Sequence, residues 1–205
     1  LSGSQNFLLL KSITQSLAGR VGLVRLMPLS YREAVTATDG LTPDAFMLRG
    51  GYPRLYDVDI PSPVYFENYV STYIERDVSG YIDARSISAF RSLLSILAQA
   101  CGSLVNVSRL ASDVGVARAT IDAWLSILEA SYTIFRLRPL QRNLRKRLTK
   151  TPKIYFCDTG LLCHLLGLET ADQLRDSRMR GAIFENLIVG ETAKRHLNAG
   201  RVPRL

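Results

Sequence analysis

The residues with the clearest chemical character are eight cations that follow one another along the chain without an intervening acid. No Asp or Glu lies between Glu129 and Asp158. The cations of this segment are Arg136, Arg138, Arg142, Arg145, Lys146, Arg147, Lys150 and Lys153. Because the net charge of the chain is +8, these eight equal its whole positive excess. Charge concentrated in this way indicates an anionic partner, with nucleic acid as the first candidate. The alternatives are a solvated loop or a strip that docks on an acidic protein surface.

The histidines and cysteines do not form a recognisable catalytic or metal site. His164 and His196 are far apart in sequence and have no Ser or Cys nucleophile placed for a triad. Cys101, Cys157 and Cys163 are odd in number and lack C-x-x-C spacing, so neither a disulfide framework nor a zinc site is predicted. This cysteine usage fits a reducing cytoplasm, where we expect the protein to be located.

Two carboxylates near the carboxyl end, Glu185 and Glu191, could suggest metal chemistry. They are six residues apart, a spacing that does not place them on one helical face. We therefore interpret them as a surface charge and a conformational contact, and we predict no metal site. No basic leader is present, and the richest apolar stretch, IYFCDTGLLCHLLGL, is too short to cross a bilayer. No membrane partner is expected.

The elements that must position the basic segment begin with a helix-turn-helix pattern. In NVSRLASDVGVARATIDAWLSILEA, Asn106 or Ser108 can cap a first helix, and Gly115 supplies the turn. A second helix is predicted over 118–130. The residues expected to face inward are Leu110, Ala111, Val114, Ile121, Trp124, Leu125 and Leu128. Two helices with this spacing are typical of DNA-binding and protein-docking modules.

Two strands are predicted to flank the basic segment. Phe135 and Leu137 alternate with Arg136 and Arg138, and KIYFCD is the second strand candidate. The basic stretch between them would be the wing of a winged helix. The exposed positions of the second helix would be Arg118, Ala119, Asp122, Ala123 and Ser126. These residues offer little to read a base edge, so contacts to phosphates should dominate if DNA is bound.

The rest of the chain reads as helices and connectors. Residues 7–17 have helical spacing, and VGLVRLMPLS at 21–30 is β-like. GLTPDAFMLRGGYPRLYD is rich in turn formers and is predicted to be a connector. YFENYVSTYIERDV reads as a helix whose aromatic and aliphatic face packs in a core; those residues are Tyr65, Phe66, Tyr69, Val70, Tyr73 and Ile74. The predicted fold class is mainly α with short strands (α+β).

Several of these stretches together resemble a known family. LSGSQNFLLL, GGYPRLYD, YFENYVSTYIERDV, the winged-helix stretch, KRLTKTPKIYFCDTGLLCHLLG and GAIFENLIVGETAKR look like the bacterial and archaeal AAA+ superfamily ATPases that carry a C-terminal domain of unknown function. The resemblance implies an AAA+ remnant at 1–48, a connector and helical region at 49–100, a winged helix at 101–160 and the helical start of a C-terminal α/β domain at 161–205. In the family, this last region is similar to restriction endonucleases.

The resemblance also implies a nucleotide site shared with a part of the protein outside this chain. Ser2 and Ser4 of LSGSQ would be sensor contacts to the γ-phosphate or the attacking water, and Arg20 would lie near the nucleotide. Alternatively, Arg20 satisfies carbonyls at a helix end. No G-x-x-x-x-G-K-[ST] motif occurs here, so the chain alone should be inactive and bind no cofactor, whereas the full-length protein is expected to use ATP and Mg²⁺.

The function expected from this resemblance is an ATPase that couples hydrolysis to a conformational change in a DNA or protein complex. Its partners would be the P-loop portion of its own protein, DNA at the basic wing, and a protein partner or further copies of itself. The alternative is a non-catalytic winged-helix module that binds nucleic acid or protein. For DNA, the predicted contacts are Arg118 and the eight cations of the basic segment.

Overall fold

The computed structural model describes residues 26–74, 86–139, 151–201 and 203. The elements of these residues are, in chain order, α1 (Tyr31–Ala37), α2 (Pro43–Arg49), α3 (Arg54–Asp57), α4 (Ser62–Tyr69), a π-helical turn (Val70–Ile74), α5 (Ile87–Gln99), α6 (Val107–Val114), α7 (Arg118–Ala130), β1 (Ile134–Leu137), β2 (Lys153–Phe156), α8 (Thr159–Leu165), α9 (Ala171–Asp176) and α10 (Arg180–Asn198). The fold is mainly α with a small antiparallel sheet, as predicted. Ser2, Ser4, Arg20 and the predicted helix at 7–17 lie outside the described residues.

Helices α6 and α7 form the predicted helix-turn-helix. The Asn106 side chain accepts a hydrogen bond from the Arg109 N–H at 3.1 Å and so caps α6. Gly115 ends α6 in the left-handed region with φ 77°, which glycine adopts without strain. The residues predicted to face inward are buried or half-buried, and Trp124 is only 3% exposed. Its ring packs edge-on against Phe90 of α5 with centroids 5.4 Å apart.

The two predicted strands pair to form an antiparallel hairpin stem. In the register, Ile134 lies opposite Phe156 and Leu137 lies opposite Lys153. Tyr132 joins α7 to β1 with φ 56°, a conformation uncommon for a residue with a side chain. Of the segment that connects the strands, residues 140–150 lie outside the described part of the chain. An isolated bridge between Leu104 and Lys153 extends the stem on its other side.

The segment 40–57 differs from the predicted connector because it contains two helices, α2 and α3. Thr42 caps α2 by accepting the Ala45 N–H at 3.2 Å, and Pro43 occupies the first turn. Phe46 and Met47 of this helix are buried. The turn formers therefore bound a short helix, whose apolar residues join the core. At 26–30 the described end of the predicted strand is irregular, because the Leu29 backbone bonds to Gly51 and Lys194 rather than to a strand.

One hydrophobic core joins the described elements. It includes residues from α1 to α10, and its largest fully buried side chains include Phe46, Phe66, Phe90 and Tyr155. The predicted aromatic helix, 65–78, is confirmed from Tyr65 to Tyr69 within α4 and continues as the π-helical turn: Phe66 and Val70 are buried, while Glu67 and Asn68 are exposed. The side chains of Tyr73 and Ile74 and residues 75–78 lie outside the described part of the chain. Among the described residues, no helix is both long enough and apolar enough to cross a membrane.

Candidate nucleic-acid interface

The helix-turn-helix and the hairpin stem hold four of the nine predicted contacts. Arg118 begins α7, Arg136 and Arg138 lie on or just after β1, and Lys153 begins β2. The other five lie outside the described residues, in the segment between the two strands: Arg142, Arg145, Lys146, Arg147 and Lys150.

Arg136 is held by an acid from the end of α7. Its guanidinium forms an ion pair with Glu129, and its backbone N–H donates to the same carboxylate at 3.2 Å. The two side chains are 24% and 30% exposed. The hydrogen bond that Arg136 donates to Glu129 raises the pKa of Arg136 above its ordinary value. The Nε atom of Arg136 is buried and finds no hydrogen-bond partner among the described residues. Glu129 therefore attaches the first strand of the hairpin to α7.

Lys153 is held by an acid from α10, but in a more exposed place. Its Nζ atom lies 3.0 Å from Glu185 Oε1, and the two side chains are 42% and 45% exposed. The Tyr155 hydroxyl donates to the same oxygen at 2.6 Å. The hydrogen bond from Tyr155, followed by that from Lys153, lowers the pKa of Glu185. Glu185 is thus a contact of the hairpin as well as a surface charge.

The exposed surface of the helix-turn-helix is balanced in charge. Arg118 lies 3.7 Å from Asp122 on α7, and Arg109 lies 3.7 Å from Asp113 on α6. The other predicted exposed positions of α7, Ala119, Ala123 and Ser126, are exposed as expected. Small side chains and internally paired charges give this helix few groups that could distinguish one base pair from another.

A second cluster of polar side chains lies inside the molecule, and no sequence pattern predicts it as a site. We call Asp158, Asn186, Glu191 and Lys194 the polar anchor. Asp158 is 3% exposed and accepts the N–H groups of Gly51 at 2.6 Å and Leu161 at 2.9 Å. Burial raises the pKa of this carboxyl above its ordinary value, although its hydrogen bonds act in the opposite direction.

The α10 members of the polar anchor bind the backbone of other segments. Lys194 Nζ donates to the Leu29 carbonyl at 2.8 Å and to Glu191 at 3.2 Å. Glu191 also accepts the Tyr31 N–H at 3.0 Å. Glu191 is therefore the conformational contact predicted from its sequence position.

Asn186 joins α10 to the second strand of the hairpin. Its amide accepts the Phe156 N–H at 2.7 Å and donates to the Phe156 carbonyl at 3.0 Å. The sequence signal that could have identified Asn186 is its place as a polar residue within the largely apolar stretch IFENLIVG. For Asp158, the corresponding signal is a carboxylate that directly follows an apolar strand. Buried polar side chains in such patterns need bonding partners.

The remaining candidates for chemistry are packed side chains. His164 is 18% exposed, and its Nε2 lies 3.5 Å from Glu67. All three cysteines are buried free thiols, and burial raises the pKa of both Cys101 and Cys157 to about 12. Within the described ranges, no group of three His, Cys, Asp or Glu residues is arranged to hold a metal ion.

Comparison with known proteins identifies the family. Residues 42–172 match the model of a family described as a domain of unknown function, DUF8612. The match covers more than half of the chain, so the chain belongs to this family. No solved structure matches the chain.

The relatives are longer proteins. An uncharacterized protein of Mycobacterium tuberculosis and one of Mycobacterium bovis are each 31% identical over 182 residues, which cover 88% of this chain and 40% of theirs. An uncharacterized protein of Haemophilus influenzae is 21% identical over 202 residues, which cover 92% of this chain and 50% of that protein. The chain thus spans half the length of these relatives or less.

Proposed function

We propose that residues 101–160 form a winged-helix module that binds duplex DNA through its wing. We further propose that this module belongs to a longer AAA+ ATPase, which couples nucleotide hydrolysis to a conformational change in a DNA or protein complex. The first proposal concerns this chain, and the second concerns the whole protein.

The observation that carries the DNA proposal is the position of the positive charge relative to the hairpin. The segment 138–152 connects β1 to β2, and it contains six cations and no acid. The stem that carries this segment packs against α7, the second helix of the helix-turn-helix. A helix-turn-helix followed by a basic hairpin loop is the arrangement expected of a winged helix whose wing lies along phosphates.

The charge balance of α7 supports a particular mode of binding. Its exposed Arg118 is offset by Asp122, so α7 adds little attraction for DNA. The wing then provides most of the affinity by neutralising phosphates and releasing counterions. We therefore propose that sequence preference is weak and that affinity falls steeply as salt is added.

The test is a set of DNA titrations at several salt concentrations with the 205-residue chain. Replacing Arg145, Lys146 and Arg147 by Ala should remove up to three phosphate contacts. The slope of log K against log salt should become shallower by roughly 0.9 for each phosphate that is no longer neutralised. The matched control replaces three exposed cations outside the hairpin, Arg32, Arg175 and Arg178. It loses the same net charge and should retain the parent slope.

The alternative is a protein-docking module, which the balanced charge of α7 favours. The same titrations separate the two. An unchanged slope in the Arg145, Lys146 and Arg147 variant, or no binding by the parent at low salt, would assign the basic segment to a protein partner or to an intramolecular contact.

The ATPase proposal rests on the resemblance of the sequence motifs and on the length of the relatives. At least half of each relative's length lies outside the matched region, which leaves room for a P-loop domain. We expect ATP turnover by the full-length protein. We expect no tight binding of Mg²⁺–ATP by this chain alone, because it lacks the phosphate-binding loop. Calorimetry that detects low-micromolar binding, about −8 kcal/mol, would contradict this expectation.

A further inference from the structure

Two cations of the hairpin stem, Arg136 and Lys153, each form an ion pair with an acid. The ion pair of Arg136 is less exposed to solvent than that of Lys153. We propose that Glu129 keeps Arg136 out of the DNA interface as a positioning pair, whereas Glu185 releases Lys153 to a DNA phosphate. This inference rests on the proposed function, because it assigns roles within the same DNA-binding hairpin.

The placement of Arg136 in the hairpin argues against contact with DNA. Opposite residues of an antiparallel pair share a face, as do residues two apart. Arg136 therefore lies on the face that carries Ile134, Ile154 and Phe156, each at most 1% exposed. Its own side chain is 24% exposed. A phosphate would have to approach past this packed face.

The bonding of Glu129 also keeps Arg136 in place. One carboxylate oxygen accepts the Arg136 backbone N–H, and the other binds the guanidinium. Moving the guanidinium to a phosphate would leave a carboxylate that is 30% exposed without its cation. Separating a partly buried ion pair in this way is strongly unfavourable. Glu129 is thus a positioning residue, which fixes β1 against α7.

Lys153, unlike Arg136, forms an ion pair that is open to solvent. Both members of its pair are more than two-fifths exposed, and exposed pairs of this kind separate at little cost. Glu185 keeps the Tyr155 hydroxyl at 2.6 Å after Lys153 leaves, so it does not lose all its partners. Lys153 is also opposite Leu137, at the end of the stem next to the connecting segment 138–152. Its flexible ammonium is therefore close to the wing and easily exchanged.

The experiment compares matched single-charge variants of the 205-residue chain in DNA titrations at several salt concentrations. Lys153→Gln should make the salt slope shallower by roughly 0.9, because one phosphate is no longer neutralised. Arg136→Gln should leave the slope at the parent value. Glu185→Gln should increase affinity by up to about fivefold at low salt, because the intramolecular competitor for Lys153 is gone. Glu129→Gln should give no such increase.

The outcomes distinguish this inference from the proposed function. If the parent chain binds no DNA at low salt, both are overturned. If the parent binds and Arg136→Gln makes the slope shallower, or Lys153→Gln leaves it unchanged, only the division of roles is overturned. Circular dichroism would check folding of each variant. If Arg136→Gln unfolds, the double variant Glu129→Gln with Arg136→Gln removes both charges, and it should retain the parent slope.

Discussion

The hairpin and the polar anchor use charged side chains in two different environments. At the hairpin, the ion-paired side chains of Lys153 and Glu185 are 42% and 45% exposed. In the polar anchor, Asp158 and Lys194 are at most 4% exposed, and each binds the backbone of a distant segment. The comparison indicates that buried charges hold the architecture together, whereas the charges of the hairpin remain accessible to solvent. Substitutions in the two regions, and in the core that supports both, should therefore differ in how much they change stability.

The largest effect is expected from Trp124, which connects the helix-turn-helix to the core. Trp124→Ala should lower the free energy of unfolding by about 3–5 kcal/mol, because the variant lacks a large buried ring that packs against Phe90. Denaturant unfolding measures the loss. Trp124 is the only tryptophan, so its native fluorescence reports this site directly. A red-shifted emission in the folded parent would contradict its burial.

A strong effect is also expected when the polar anchor loses its cation. Lys194→Met should lower the free energy of unfolding by about 3 kcal/mol, because Glu191 and the Leu29 carbonyl lose a buried partner. The matched control is Lys153→Met at the hairpin, which should change stability by no more than about 0.5 kcal/mol. Equal losses of unfolding free energy in the two variants would contradict the proposed difference between the polar anchor and the hairpin.

A moderate effect is expected at the glycine that follows Asp158 by two positions. A Cβ atom on Gly160 would lie 2.7 Å from the Gly50 nitrogen and 2.7 Å from the Phe66 ring. Gly160→Ala should therefore lower stability by about 1–3 kcal/mol. Gly181→Ala in α10 is the control, because a Cβ there meets nothing within 4 Å and alanine favours a helix. Thermal unfolding of both variants distinguishes a steric clash from an effect of helix propensity. Only Gly160→Ala should lower the stability.

The smallest effect should be on how stability depends on pH. Glu185 at the hairpin and Asp158 in the polar anchor should contribute to this dependence with opposite signs. Hydrogen bonds from Tyr155 and Lys153 lower the pKa of Glu185, so the stability it adds is present above pH 4.5 and is lost as pH falls through the lower folded value. Burial raises the pKa of Asp158, so acid does not remove stability through that group. The stability difference between the parent and Glu185→Gln should therefore shrink on acidification. A difference that grows as pH falls would contradict this assignment.

Local patterns predicted the hairpin region better than the polar anchor. The Asn106 cap, the turn at Gly115 and the spacing of Trp124 with its neighbours act within a few residues, so sequence predicted α6, α7 and the strands. Helix α2 was missed because Gly and Pro suggested a connector, although Phe46 and Met47 supply a buried face. The anchor was missed because its partners are distant in sequence, 107 residues apart for Gly51 and Asp158.

The ion pairs of the stem could not be predicted from the sequence either. In the sequence, Glu129 is the last acid before the basic segment, and its spacing does not indicate a bond to Arg136. That contact depends on the left-handed turn at Tyr132, which directs β1 back along α7. A count of basic residues consequently describes the charge of the segment, but not which of its members are already paired.

The bonds of Lys194 and Glu191 have a consequence for the order of folding. They join residues 165 and 160 positions apart, to Leu29 and Tyr31, whereas the helix-turn-helix and its stem are built largely from neighbours in the chain. Closing so long a loop costs conformational entropy before any bond is gained. Long-range contacts of this kind slow folding, so the segment around Leu29 should dock last. During synthesis on the ribosome, that docking must wait until α10 has emerged, while the helices that support the hairpin can form earlier.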